Sequence, residues 1–223
     1  MHVSLSEGYS LEDLKRIAQA IIYFKPAFEV LVPSGRRGNE YARSNWIDNP
    51  SFGYKNKSRA ESIAIIDRCE STDDVINLMN PNGSKYFGWN FLAIKKFKTI
   101  EFRRGAASLT VNDVFVWVEI AMSFIQAALK IRSANDLQTH VATVGGLRDF
   151  IQNAEFVNAP GTWDSTYLSL LFNGKSSGDS LQPTPVGQLS PQKEQKLRRK
   201  IEADSRSQPM LVKLESAQAL EIF

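Results

Sequence analysis

The clearest indication of the fold lies in Lys98–Asp113, KTIEFRRGAASLTVND. Its first half alternates apolar and charged residues, with Ile100 and Phe102 separated by Glu101 and followed by Arg103. Successive side chains of a strand point to opposite faces. The alternation therefore predicts a strand with one apolar face toward the core and one face that carries a carboxylate and a guanidinium.

Helix starts are visible on both sides of this strand. Four segments begin with Ser or Thr and carry an acidic residue three positions later, SLED, SRAE, STDD and TVND, at positions 10, 58, 71 and 110. This spacing is typical of a capping box, and apolar residues follow at helical intervals. We expect the first helix to end near Pro26, the third to stop before Pro81, and the helix after Thr110 to be the longest.

Signals for strands are fewer than signals for helices. Besides TIEFRR, only HVSL at the start and KYFGWNFLAI in the middle of the chain have this character. The sequence therefore predicts an α+β protein with a partial antiparallel sheet packed against helices.

Composition limits the classes of function. The chain has 223 residues, 43% of them hydrophobic, and a formal net charge of +3, which is too small to indicate nucleic-acid binding by itself. The single cysteine, Cys69, excludes an intramolecular disulfide and a multi-cysteine zinc site. The first residues lack the pattern of a signal peptide, and no uninterrupted apolar run has the length of a membrane span. We expect a cytoplasmic protein that binds neither nucleic acid nor membrane.

The composition changes after Asn173. Gly, Ser and Pro dominate NGKSSGDSLQPTPVGQLSPQ, as is typical of a flexible linker. QKEQKLRRKIEADSR predicts a short charged helix, and MLVKLESAQALEIF a weakly amphipathic one. We therefore expect a folded domain over residues 1–173 and a largely disordered linker and helical tail over residues 174–223.

Glu101 and Arg103 lie on the same face of the predicted strand and are suited to a metal-bound phosphate. A carboxylate can hold Mg²⁺, and a guanidinium binds phosphate oxygens in a planar, two-pronged way. The simpler interpretation is an ordinary surface ion pair, which contributes little to stability. Periodicity alone favours this simpler interpretation.

Three segments in the same order resemble the amidoligase family, distant relatives of glutamine synthetase and glutamate–cysteine ligase. TIEFRR, followed by a small-residue loop, an Asn-Asp start and a long Trp-containing helix, is similar to the family's strand–helix unit. HVS before YSLEDLKRIAQAIIYFKPAFEVLVP resembles its His-Val-His strand and the next helix. RRGNEYARSN resembles its Arg-Asn-Tyr segment. The likeness runs from His2 to about Leu129, and more faintly to Val157.

The resemblance implies ATP-dependent ligation of a small-molecule or peptide carboxylate to an amine through an acyl phosphate, with Mg²⁺ as cofactor. Glu101 would be a metal ligand and catalytic residue. Arg103 would contact phosphate, as a catalytic and ATP-binding residue. His2 would lie near metal or nucleotide, and Arg37 and Tyr41 near the substrate.

This chain also departs from the family pattern. In the family, further strands with acidic ligands precede the His strand, whereas here the likeness begins at Met1-His2. We therefore expect a truncated domain, inactive in this form, that self-associates through the uncovered sheet. The alternative is a non-catalytic binding or regulatory protein that uses the partial fold and the basic tail as a docking surface.

Overall fold

The computed structural model describes residues 1–152 and 166–204. The chain divides into two compact units, Met1–Pro185 and Val186–Phe223. The strands of the first unit are β1 (His2–Ser4), β2 (Trp89–Asn90) and β3 (Thr99–Phe102). Its helices are α1 (Leu11–Tyr23), α2 (Lys25–Leu31), α3 (Arg59–Asp67), α4 (Thr72–Met79), α5 (Ala93–Phe97), α6 (Val111–Lys130), α7 (Ala134–Leu137), α8 (Val144–Gln152) and α9 (Thr166–Phe172).

The sheet confirms the predicted α+β class. Its order is β1-β3-β2, and both pairings are antiparallel. The TIEF segment therefore forms the central strand, with β1 and β2 as short edges. Ile100 and Phe102 are buried on one face, as the alternation predicts.

The predicted helix starts are also confirmed. In each case the N-cap side chain accepts a hydrogen bond from the backbone N–H of the third helical residue. The carboxylate of that third residue accepts a hydrogen bond from the backbone N–H of the N-cap. The four N-caps are Ser10, Ser58, Ser71 and Thr110. These boxes satisfy backbone donors that the first turn would otherwise leave without a partner.

The segment around Pro26 differs from the expectation. α1 ends at Tyr23, and α2 begins at once at Lys25 with Pro26 in its first turn. Proline is tolerated there because the first helical amides have no partner within the helix. Pro26 thus opens a second helix, which carries Lys25 and Glu29 into the core.

Helix α6 packs against α1, α8 and α9. Its Phe124 ring lies 5.0 Å from Phe28 and 5.5 Å from Trp89, and the Phe102 ring lies 6.2 Å from Trp117. By length and composition α6 could also cross a membrane, although half of the apolar stretch is buried inside the protein. The apolar face of β3 is therefore sealed by the long helix that follows it.

The chain after Asn173, which composition assigns to a linker, makes hydrogen bonds to the N-terminal end of α8. The amides of Val144 and Gly145 donate to the carbonyls of Asp179 and Ser177, at 2.9 and 2.8 Å. The first compact unit accordingly extends to Pro185. In the second unit residues 191–204 are helical, which agrees with the predicted charged helix, and MLVKLESAQALEIF lies outside the described residues.

Candidate functional site

The polar face of the sheet brings three side chains side by side. The strand register pairs Glu101 with His2 on β1 and with Asn90 on β2. Directly opposed residues of antiparallel strands have neighbouring side chains. Glu101 therefore lies at the centre of the polar face, between an imidazole and an amide.

Both oxygens of the Glu101 carboxylate accept hydrogen bonds. Arg103 donates to Oε1 at 2.6 Å from Nη1, and Asn90 donates to Oε2 at 2.8 Å from Nδ2. The Asn90 side chain is fixed in turn, because its Oδ1 accepts from the Leu92 amide. Glu101 and Arg103 thus form an ion pair that is held in one geometry, and their side chains are 17% and 21% exposed.

Arg103 has further contacts that hold its guanidinium in place. Its Nε donates to the carbonyl of Tyr41 at 3.3 Å, and the guanidinium lies over the Tyr86 ring at 5.4 Å. Its own carbonyl accepts a hydrogen bond of 2.6 Å from Arg36 Nη2. Arg36 ends a short 3₁₀ turn, Ser34–Arg36. Two guanidinium groups from distant parts of the sequence therefore meet at the end of β3.

A pocket of about 410 Å³ opens beside these residues. Arg36, Tyr41, Glu101 and Arg103 form its polar side, and its other wall comes from the loop after β3 and from α6. These further lining residues are Met1, Phe102, Gly105, Ala106, Ser108, Val114, Trp117 and Val118. The volume lies in the range of small-molecule sites, which combine an apolar wall with a few placed polar groups.

The pocket has an excess of positive charge. Among the described residues that line it, Glu101 is the one carboxylate, against the two guanidinium groups of Arg36 and Arg103. The pKa of Arg36 is lowered, first by burial and then by the positive charge of Arg103. Arg36 Nε is buried and has no hydrogen-bond partner among the described residues. An anion in the pocket would neutralise this charge.

The structure gathers some of the predicted site residues and separates others. Glu101, Arg103 and Tyr41 line the pocket. His2 is an exposed neighbour of Glu101 whose Nδ1 is hydrogen-bonded to Thr99 Oγ1 at 2.8 Å, and it does not line the pocket. Arg37 points elsewhere, because its Nε donates to the carbonyl of Glu29.

Arg36 and Asn90 contribute to the site but are not predicted from the sequence. Arg36 is adjacent to Arg37, the residue that the family resemblance selects. The course of the chain after α2 determines that Arg36, rather than Arg37, lines the pocket. Asn90 ends the short strand β2, and the apolar run that follows it predicts more strand where the structure has helix α5. The register with Glu101 is the signal that identifies it.

The side chains at this site do not fit Mg²⁺ on their own. Magnesium takes about six oxygen ligands in octahedral geometry. Glu101 is one carboxylate, and both its oxygens are engaged by Arg103 and Asn90. No group of three or more His, Cys, Asp or Glu side chains is placed to hold a metal within residues 1–152 and 166–204. The assignment of magnesium to Glu101 and His2 stays a prediction.

Comparisons with protein-family models, with curated proteins and with solved structures found no match for this chain.

Proposed function

We propose that this chain is an amidoligase-like protein whose pocket binds the anionic groups used in ATP-dependent carboxylate–amine ligation. The supporting observation is that two arginines at the end of β3, Arg36 and Arg103, line one pocket beside the single carboxylate of Glu101 among its described lining residues. Phosphate and carboxylate oxygens are the acceptors that guanidinium groups bind best.

In this proposal the residues of the pocket bind and orient substrate. Arg36 and Arg103 hold phosphate or carboxylate oxygens and offset negative charge as it develops during phosphoryl transfer. Trp117 and the apolar residues of α6 exclude water from one wall. ATP is the phosphoryl donor, a small-molecule or peptide carboxylate and an amine are the substrates, and the cytoplasm is the compartment that supplies them.

A second candidate is a non-catalytic binding protein, and the bonding of Glu101 favours it. A carboxylate that is held by Arg103 and Asn90 acts as the counter-ion of the site rather than as a metal ligand. The two candidates share the anion-binding pocket and differ in what Glu101 does. Substitution of this one residue therefore separates them.

Calorimetric titration with ATP tests the shared part. Arg103→Lys keeps the charge but loses the planar fork, and loss of one charge-assisted hydrogen bond predicts about 10-fold weaker binding. Arg59→Lys is a matched control, because Arg59 also donates to a backbone carbonyl and lies 5.3 Å from the centre of a tyrosine ring. Equal affinities in the Arg103→Lys and Arg59→Lys variants would contradict the proposed pocket.

The Glu101→Gln variant then distinguishes the candidates. If the protein is a ligase that uses this carboxylate, ATP turnover falls by about 10²-fold or more, as when one preorganised electrostatic group is removed. If the protein only binds ATP, it has no turnover to lose. Removal of the negative charge of Glu101, the counter-ion of Arg103, then strengthens ATP binding. Weaker ATP binding without any change in turnover would contradict both.

A further inference from the structure

The segment between α4 and β2 contains an Asn-Gly pair in a left-handed backbone conformation. Asn82 has φ of 57° and ψ of 26°, and Gly83 has φ of 64°. The Ser84 amide donates to the carbonyl of Pro81 at 3.2 Å. Positive φ at both central residues, closed by this hydrogen bond, is typical of a type I′ turn. Glycine adopts this conformation without steric cost, and asparagine adopts it more readily than most residues.

The two groups of this pair that can react with each other are both free. Across residues 1–152 and 166–204, neither the Asn82 side chain nor the Gly83 amide has a hydrogen-bond partner. Both residues are exposed, and a Cβ added at Gly83 would have no neighbour within 4 Å. The pair therefore offers an accessible carboxamide next to a backbone nitrogen whose own residue carries no side chain.

We propose that Asn82 is a site of spontaneous covalent modification, at which asparagine converts to aspartate and isoaspartate. The Gly83 nitrogen attacks the side-chain carboxamide carbon of Asn82. A C–N bond forms between these atoms, the carboxamide C–N bond breaks, and ammonia leaves with the proton of the Gly83 amide. Water then opens the cyclic imide, which gives aspartate by cleavage at the side-chain carbonyl and isoaspartate by cleavage at the backbone carbonyl. The reaction needs only water and is independent of what the pocket binds.

The modification acts on a buried side chain that holds the turn. Asn80 is 1% exposed. Its Nδ2 donates to the Ser84 carbonyl at 3.0 Å, and its Oδ1 accepts from the Phe91 amide at 2.7 Å. Isoaspartate at position 82 places one additional carbon in the main chain between Asn80 and Ser84. We therefore expect the hydrogen bond between Asn80 and Ser84 to be lost.

Peptide mapping by mass spectrometry tests the reaction in the full chain, incubated at mildly alkaline pH. Asn56 is an internal control, because it is also exposed and left-handed, with φ of 51° and ψ of 34°, but is followed by Lys57. The side chain of a lysine hinders ring closure, so conversion at Asn82 should be at least about 10-fold faster than at Asn56. Equal rates, or no conversion at Asn82, would overturn the proposal. The other Asn-Gly pair, Asn173–Gly174, lies on a different tryptic peptide.

Thermal unfolding before and after the same incubation tests the structural consequence. Loss of one hydrogen bond should lower the midpoint of the modified protein by about 2 to 4 °C. Asn82→Gly is the matched control, because glycine keeps the left-handed turn but has no carboxamide to react. Its midpoint should not change on incubation, whatever happens at Asn173. A fall of equal size in Asn82→Gly would contradict the proposal.

Discussion

Replacement of Glu29 by Gln is the sharpest test of the buried charge cluster formed by Lys25, Glu29 and Arg104. Glu29 is 2% exposed and pairs with Lys25 and Arg104. The amide keeps the shape of the side chain and one acceptor oxygen, but it leaves two buried cations without their carboxylate. Removal of one partner from a buried ion pair costs about 3 to 5 kcal/mol.

The lower end of that range applies to this site. Burial and the charge of Arg104 lower the pKa of Lys25, so Lys25 can release its proton when Glu29 is lost. Arg104 cannot relieve the site in the same way, because burial lowers its pKa only to about 10. We expect a loss of about 3 kcal/mol, which corresponds to a fall of roughly 6 to 12 °C in the thermal midpoint of a domain of this size.

Differential scanning calorimetry at neutral pH measures this change. Glu12→Gln is the control, because Glu12 also pairs with a lysine of the same helix but its side chain is 62% exposed. An exposed ion pair contributes little to stability, so the control midpoint should stay close to that of the unmodified protein. Equal midpoints for the Glu29→Gln and Glu12→Gln variants would refute the view that the buried carboxylate compensates the two cations.

Three further predictions concern packing, the domain boundary and pH. Gly88→Ala should destabilise the protein by about 1 to 3 kcal/mol, because the added Cβ would lie 2.6 Å from the buried stem of Arg104; an unchanged urea midpoint would contradict this. Truncation after 185 should leave the thermal midpoint nearly unchanged, whereas truncation after 173 should lower it through loss of the hydrogen bonds to the start of α8; equal midpoints would show that those bonds contribute nothing. Hydrogen bonds at the start of α3 and from Lys57 lower the pKa of Glu61 to about 2. The stability that the ionised Glu61 contributes is therefore present above pH 4.5 and is lost as the pH falls toward 2. The acid unfolding curve of Glu61→Gln should lack that part of the slope, and identical curves for the variant and the unmodified protein would contradict this role of Glu61.

Local patterns in the sequence predict much of this fold. The alternation in TIEF identifies the central strand, and the acidic residue three positions after each cap identifies the starts of α1, α3, α4 and α6. These features depend on neighbours a few residues apart. They can therefore be derived without knowledge of the tertiary structure.

Other features depend on context that local patterns do not contain. α2 is missed because Pro26 ends one helix and also fits the first turn of the next. The apolar run after Asn90 predicts a longer strand, but the chain turns into α5, and Lys98 closes it in a left-handed conformation with φ of 57°. Both outcomes depend on how the segments pack on the rest of the core.

Strand periodicity predicts only the central pair of the candidate site, whereas Tyr41, which also lines the pocket, is selected by the family resemblance. Glu101 and Arg103 lie two residues apart, so strand periodicity brings them together. Arg36 is 67 residues from Arg103 in sequence, and Arg104 is 75 residues from Glu29. A charged residue is rarely buried without a partner, and no local pattern identifies a partner at such a separation.

The central claim is that Arg36 and Arg103 bind an anionic group in the pocket beside β3. A crystal structure of the full chain with ADP bound tests it most directly. The account predicts phosphate density within hydrogen-bonding distance of both guanidinium groups, with the Glu101–Arg103 pair in place. Nucleotide density at another site, or a pocket that stays empty at saturating ADP, would contradict it.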